Sequence, residues 1–156
     1  MLNAHLEAMA GAIHTAGGKI DRFIGDAVIA AFYGNPPAEN ARRALNAAVA
    51  MRRAHERRIE ERRAAGAFAY GMGVGIDAGK LLVGSFGTAE RMERAVLGVP
   101  RDEAERLEAD SKKGRYTTIV LSSEMMRLLG NPATGWEQIP GSDGWELVEL
   151  PPEDGA

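Results

Sequence analysis

The stretch GGKIDRFIGDAVIAAF, residues 17–32, limits the possible folds of this chain more than any other segment. It places two short runs rich in Ile, Val and Phe on either side of Gly25 and Asp26. Such runs around a glycine-containing pair predict a β-hairpin with strands over residues 19–24 and 27–32. Asp26 is then either a turn residue that hydrogen-bonds its own backbone, the commoner case, or a ligand for a cation such as Mg²⁺.

The rest of the chain predicts helices and strands that alternate around this hairpin. Apolar residues at three- and four-residue spacing indicate amphipathic helices, and Pro37 and Pro100 stand where helices begin. Helices in such an order cover a sheet, which favours an α+β or α/β sandwich. Helices are predicted over residues 2–16, 37–65, 100–113 and within 122–130, and strands over 19–24, 27–32, two runs within 69–86, 116–122 and a pair within 136–149.

The composition is that of an ordinary globular domain and excludes several classes of function. The 156 residues suffice for one domain, and 45% of them are hydrophobic. A net charge of −3 gives no overall attraction to nucleic acid, and the absence of cysteine excludes disulfides and thiolate metal sites. The chain shows no signal peptide, and its longest apolar runs are too short to cross a bilayer. We therefore expect a cytoplasmic protein without a membrane segment or a nucleic-acid partner.

Three further stretches favour structural interpretations. Eight arginines between positions 42 and 63 are interleaved with glutamates and lack aromatic companions, which indicates a solvated helix face rather than nucleic-acid binding. The segment GMGVGIDAGK fits neither phosphate-loop nor dinucleotide spacing, but its alternating glycines predict close approach of another backbone or a ligand. Asp102 and Arg106 share a helix face and predict a surface ion pair. The three histidines have no spacing that suggests a metal site.

Together and in this order, residues 2–51, 73–88 and 96–108 resemble the catalytic domain of class III adenylate/guanylate cyclases. The similarity runs from residue 2 to about residue 130, and the hairpin is its most specific part. The resemblance implies a ferredoxin-like α+β sandwich of the nucleotide cyclase type, N-terminally truncated, with residues 1–156 as one partial domain that ends in a strand pair and tail from about residue 131. It also implies conversion of ATP or GTP to a 3′,5′-cyclic nucleotide and pyrophosphate.

In the resembled family, two aspartates hold two Mg²⁺ or Mn²⁺ ions that serve the attacking and leaving oxygens. The resemblance implies that Asp26 is the second of these aspartates and that Gly25 leaves room for the nucleotide phosphates. The first aspartate lies on an opening strand that has no counterpart in residues 1–156. Three explanations follow: the strand comes from elsewhere, the sheet closes around its absence, or the chain is a fragment.

The resemblance assigns four further residues to the other half of a composite site. Arg22 stands where the family has a purine-contacting lysine, and Ala95 where a residue reads the base. Asp102 replaces a ribose-orienting asparagine, and Arg106 matches an arginine that stabilises phosphate charge in the transition state. Because the two halves come from different subunits, the resemblance implies a homodimer or a heterodimer with another cyclase domain.

These departures lead to three hypotheses. One is a cyclase domain that is inactive or weak as an isolated chain, since one aspartate is absent and positions 22, 95 and 102 are substituted. The second is a catalytically degenerate pseudo-cyclase that acts as a nucleotide-binding or dimerisation module. The third is a truncated gene product with no function of its own.

Overall fold

The computed structural model describes residues 2–153, and its elements follow the predicted order with one strand more. The mixture of helices and strands confirms the α+β class. None of the helices in this part of the chain has the length and apolar character needed to cross a membrane. The helices are α1 (Leu2–Thr15), α2 (Pro37–Ala64), α3 (Val99–Asp110) and α4 (Ser123–Leu128), and the strands are β1 (Lys19–Ile24), β2 (Ala27–Ala31), β3 (Val74–Ile76), β4 (Leu82–Thr88), β5 (Arg91–Leu97), β6 (Ile119–Leu121), β7 (Trp136–Gln138) and β8 (Trp145–Leu147).

Strands β1 and β2 form the predicted antiparallel hairpin. Ile24 pairs with Ala27 across a two-residue turn, and Gly25 has a φ of +60° at its first position, as a type II′ turn requires. The register shifts between Ile20 and Arg22, so that a bulge forms at the residue between them. The sequence therefore folds this segment locally through its turn chemistry and its β-branched residues.

The strands form three sheets rather than one. Strands β3, β6, β8 and β7 make a four-stranded sheet in that order, while β1–β2 and β4–β5 are separate two-stranded sheets. The pair β3–β6 is parallel, and the other pairs are antiparallel. A cavity of about 1380 Å³ is bordered by β2 on one side and β3 on the other. Within residues 2–153 the sheet has therefore not closed around a missing strand.

Helix α2 packs apolar residues against the four-stranded sheet. Ala48 and Val49 pack with Ile119 and Leu147, which forms the centre of one core cluster. Arg52 corrects the interpretation of the arginines as a solvated face, because it is 8% exposed and donates to the carbonyl oxygen of Thr117 at 2.5 Å. This arginine ties α2 to the segment that leads into β6.

The alternating glycines before and within β3 confirm the predicted close approach. A Cβ atom at Gly75 would collide with the backbone of Ala104 and Glu108 in α3, and one at Gly73 would collide with Ser111. Val74 and Ile76, on the opposite face of β3, pack against the core cluster of α2. Strand β3 is therefore covered by α3 on one face and by α2 on the other.

Candidate functional site

Asp26 lies at the exposed turn of the β1–β2 hairpin, next to the cavity between β2 and β3. It forms no hydrogen bond or ion pair with any other residue in the range 2–153. A Cβ atom at Gly25 would meet no atom within 4 Å, so the space beside the turn is open. This carboxylate is therefore available to an external ligand.

The described residues alone do not make up a metal site. Within residues 2–153 no three His, Cys, Asp or Glu side chains converge to hold a metal ion. Mg²⁺ needs near-octahedral oxygen coordination, of which water and substrate phosphates provide a large share. Asp26 fits as one such ligand, but these residues do not fit a two-ion centre by themselves.

Asp21, a residue to which the sequence analysis gave no role, links Arg22 to Val96, the residue after Ala95 in β5. The side chain of Asp21 is 2% exposed; it accepts from Arg22 Nε at 2.9 Å and from the backbone N–H of Val96 at 3.0 Å. Ala95 itself is 7% exposed and pairs with Gly84 in the β4–β5 hairpin. The sequence signal for this contact is the presence of an acidic residue within the apolar run of β1.

Arg106 does not pair with Asp102, which corrects the expected ion pair. Its guanidinium instead binds Asp110 at 2.8 Å, Glu103, and Asp143 from the loop between β7 and β8. These hydrogen bonds raise the pKa of Arg106 above its ordinary value, and the hydrogen bond to Glu103 contributes most. Three carboxylates therefore occupy the donors of this guanidinium, while Asp102 is exposed one turn earlier on α3.

Two histidines that appeared unrelated in sequence meet where α1 packs on α2. The rings of His5, His55 and Tyr70 contact each other edge to face, with centroids 5.2 to 6.1 Å apart. The Tyr70 hydroxyl lies 3.4 Å from His5 Nδ1. Burial, as the largest cause, lowers the pKa of both histidines, and the nearby Asp26 opposes this only in part for His5.

Known proteins resemble the chain in both sequence and fold, although no protein-family model matches it. An adenylate cyclase of Anabaena cylindrica is 32% identical over 131 residues, which cover 81% of this chain and 25% of that protein. The crystal structure of the adenylyl cyclase CyaB from P. aeruginosa superposes with a TM-score of 0.79 and 27% identity, over 99% of this chain and 83% of that one. The guanylyl cyclase Cya2 gives a TM-score of 0.74 and 26% identity, over 98% and 81% of the two chains.

The fold and the sequence agree on one class of protein, the nucleotide cyclase catalytic domain. The chain belongs to the class III nucleotide cyclase family. It spans a quarter or less of the length of the curated relatives that it matches.

Proposed function

We propose that this chain is a cyclase domain that binds a nucleoside triphosphate and serves the formation of a 3′,5′-cyclic nucleotide from ATP or GTP in signal transduction. The observation that carries the proposal is the exposed carboxylate of Asp26 in a hairpin of a cyclase-type fold, beside open space at Gly25. Under this proposal, Asp26 gives one ligand to Mg²⁺ or Mn²⁺, and the phosphates approach the turn at Gly25.

We further propose that the isolated chain has little or no turnover. Residues 2–153 provide a single candidate carboxylate for the cation, and the guanidinium of Arg106 is held by three acidic side chains. The half of the site that contacts base, ribose and phosphate then comes from a second cyclase domain, in a homodimer or a heterodimer. In that dimer Arg22, Ala95, Asp102 and Arg106 belong to the half that contacts base, ribose and phosphate.

The second candidate function is a pseudo-cyclase that binds nucleotide or dimerises without catalysis. The buried Ala95 favours it, because a methyl group offers no hydrogen bond to a base. The carboxylates around Arg106 favour it too, since they place negative charge where a polyphosphate would bind. Both candidate functions involve nucleotide binding or dimerisation, and they differ in whether the nucleotide is converted to a cyclic product.

The test is production of cyclic AMP and cyclic GMP by the purified chain with Mn²⁺, with Asp26→Ala as the site variant. Glu60→Ala, an exposed carboxylate on α2, is the matched control for loss of a surface charge. Activity that Asp26→Ala abolishes and Glu60→Ala retains would support an enzyme and overturn the proposal of an inactive isolated chain. Nucleotide binding without turnover would support a binding module, and absence of both binding and turnover would contradict the nucleotide proposal.

A further inference from the structure

A second, smaller pocket lies where the β1–β2 hairpin meets β5 and the end of α1. Its volume is about 320 Å³, at the lower end of the sizes usual for small-ligand sites. None of the residues to which the cyclase resemblance gives a role borders it. We call it the hairpin pocket, and its lining differs from that of the candidate nucleotide site.

Two basic side chains from different strands contact one tyrosine in this pocket. Lys19 pairs with Ala31, which makes Tyr33, two residues further on, its diagonal neighbour. Lys19 Nζ lies 4.8 Å from the centre of the Tyr33 ring. The backbone N–H of Val96 holds β5 beside β1, and Arg94, two residues earlier on β5, donates from Nη2 to the Tyr33 hydroxyl at 3.1 Å. The fold therefore gathers two positive charges around a single ring.

These two charges have no counter-charge in the part of the chain that the structure describes. Within residues 2–153, neither Lys19 nor Arg94 forms an ion pair with a carboxylate. Asp21 also borders the pocket, but its carboxylate is 2% exposed and already accepts from Arg22 and from the N–H of Val96. Because like charges repel, an external anion between the two cations would stabilise this arrangement.

The donors around the pocket suit a tetrahedral oxyanion. Arg94 uses one of its N–H donors for Tyr33, and the ammonium of Lys19 donates to no residue in the range 2–153. The Tyr33 hydroxyl accepts from Arg94, so its own proton is free for donation. His14, exposed at the end of α1, has a ring N–H in either protonation state. Guanidinium and ammonium groups are the side chains that bind phosphate oxygens by charge-assisted hydrogen bonds.

We propose that the hairpin pocket binds a phosphate group, either as inorganic phosphate or on a small phosphate monoester, through Lys19, Arg94 and the hydroxyl of Tyr33. The inference does not depend on nucleotide binding or turnover by the chain, because its residues lie outside the candidate nucleotide site.

The test is a titration of the full chain with inorganic phosphate and, separately, with glycerol 3-phosphate, followed by the amide NMR shifts of Ile20 and Tyr33. Sodium chloride keeps the ionic strength constant, since exposed charges are screened by salt. We expect saturable shifts with a Kd of about 1 mM or below, and none with chloride alone. A lower Kd for glycerol 3-phosphate would identify a small organic phosphate as the ligand, and a lower or equal Kd for inorganic phosphate would identify the free ion.

Single substitutions separate the pocket from general attraction to a positive surface. Arg94→Gln and Lys19→Gln should each raise the Kd about fivefold or more, and Tyr33→Phe should raise it about two- to threefold. Arg91→Gln is the matched control, because it removes the same charge from the same strand at an exposed residue that pairs with Glu93 outside the pocket. We expect this control to keep the Kd within about twofold. Circular dichroism verifies that all four variants are folded.

Four results would overturn the proposal. They are the absence of saturable shifts at tens of millimolar phosphate, equal shifts with chloride, an equal loss of affinity in Arg91→Gln and Arg94→Gln, and an unchanged Kd in both Arg94→Gln and Lys19→Gln. A separate titration with ATP distinguishes the pocket from the candidate nucleotide site. A loss of ATP affinity in Arg94→Gln as large as the loss of phosphate affinity would assign the pocket to the nucleotide and would also overturn the proposal.

Discussion

Replacement of Glu146 by glutamine tests how the segment before β6 is held in place. Glu146 on β8 is 2% exposed, and its carboxylate accepts three backbone N–H groups. Oε2 accepts from Arg115 at 2.9 Å, and Oε1 accepts from Tyr116 at 2.9 Å and from Thr118 at 2.8 Å. The segment that this carboxylate holds leads directly into β6, the partner of β3. Loss of the Glu146 carboxylate should therefore weaken the four-stranded sheet as a whole.

The expected cost follows from the three hydrogen bonds. In Glu146→Gln the amide oxygen can keep two of the donors, while the amide NH₂ faces the N–H of Arg115. The N–H of Arg115, which is only partly buried, then lacks an acceptor in the protein, and this costs about 1 kcal/mol. The two remaining bonds lose their charge assistance, which is about 0.5–1 kcal/mol each. The free energy of unfolding should therefore fall by about 2–3 kcal/mol, a large part of the 5–15 kcal/mol typical of a domain.

Urea unfolding at pH 7, followed by tryptophan fluorescence, measures this change. The control is Glu137→Gln, because Glu137 lies directly opposite Glu146 on β7 but is exposed and accepts only the surface hydroxyl of Tyr116. We expect the control to unfold at nearly the wild-type midpoint. A cost for Glu146→Gln no greater than that of the control would refute the assignment of Glu146 as the residue that holds this segment.

Three further predictions concern packing, pH and charge. Gly75→Ala should lower the free energy of unfolding by about 1–3 kcal/mol or more because its Cβ collides with α3, whereas Gly11→Ala, at an open helical position, should raise it by about 0.5–1 kcal/mol in the same urea assay. Burial lowers the pKa of His5 and His55 below the 6.5 of the unfolded chain. The free energy of unfolding should therefore be fully retained above pH 6.5 and should fall below it, by up to about 1.4 kcal/mol per pH unit for each histidine. Urea unfolding at a series of pH values measures this, and a flat profile would contradict it. Asp143→Asn removes one of the carboxylates that bind the Arg106 guanidinium, so the Kd for a nucleoside triphosphate should fall about two- to fivefold. Titration with a fluorescent nucleotide measures the Kd, and an unchanged value would contradict binding of the nucleotide at Arg106.

Much of the fold was predictable because its signals are local. The β1–β2 hairpin follows from Gly25 at a position that needs positive φ. The serine pair before α4 predicts a cap by Ser122 or Ser123, and in the structure Ser122 Oγ accepts the N–H of Met125 at 3.1 Å. Strand β5 gave no such signal, since most of its residues are charged or exposed and it forms by pairing with β4. The pattern of residues 87–99 accordingly predicts no element.

The roles of the candidate site residues stay predictions, and their contacts did not follow from the sequence. Position 26 follows from the hairpin, and its exposure agrees with a role in binding. The partners of Arg106 did not follow, because Asp143 lies 37 residues away and reaches α3 only through the β7–β8 loop. The role of Asp21 likewise depends on β5, a strand that pattern alone did not indicate.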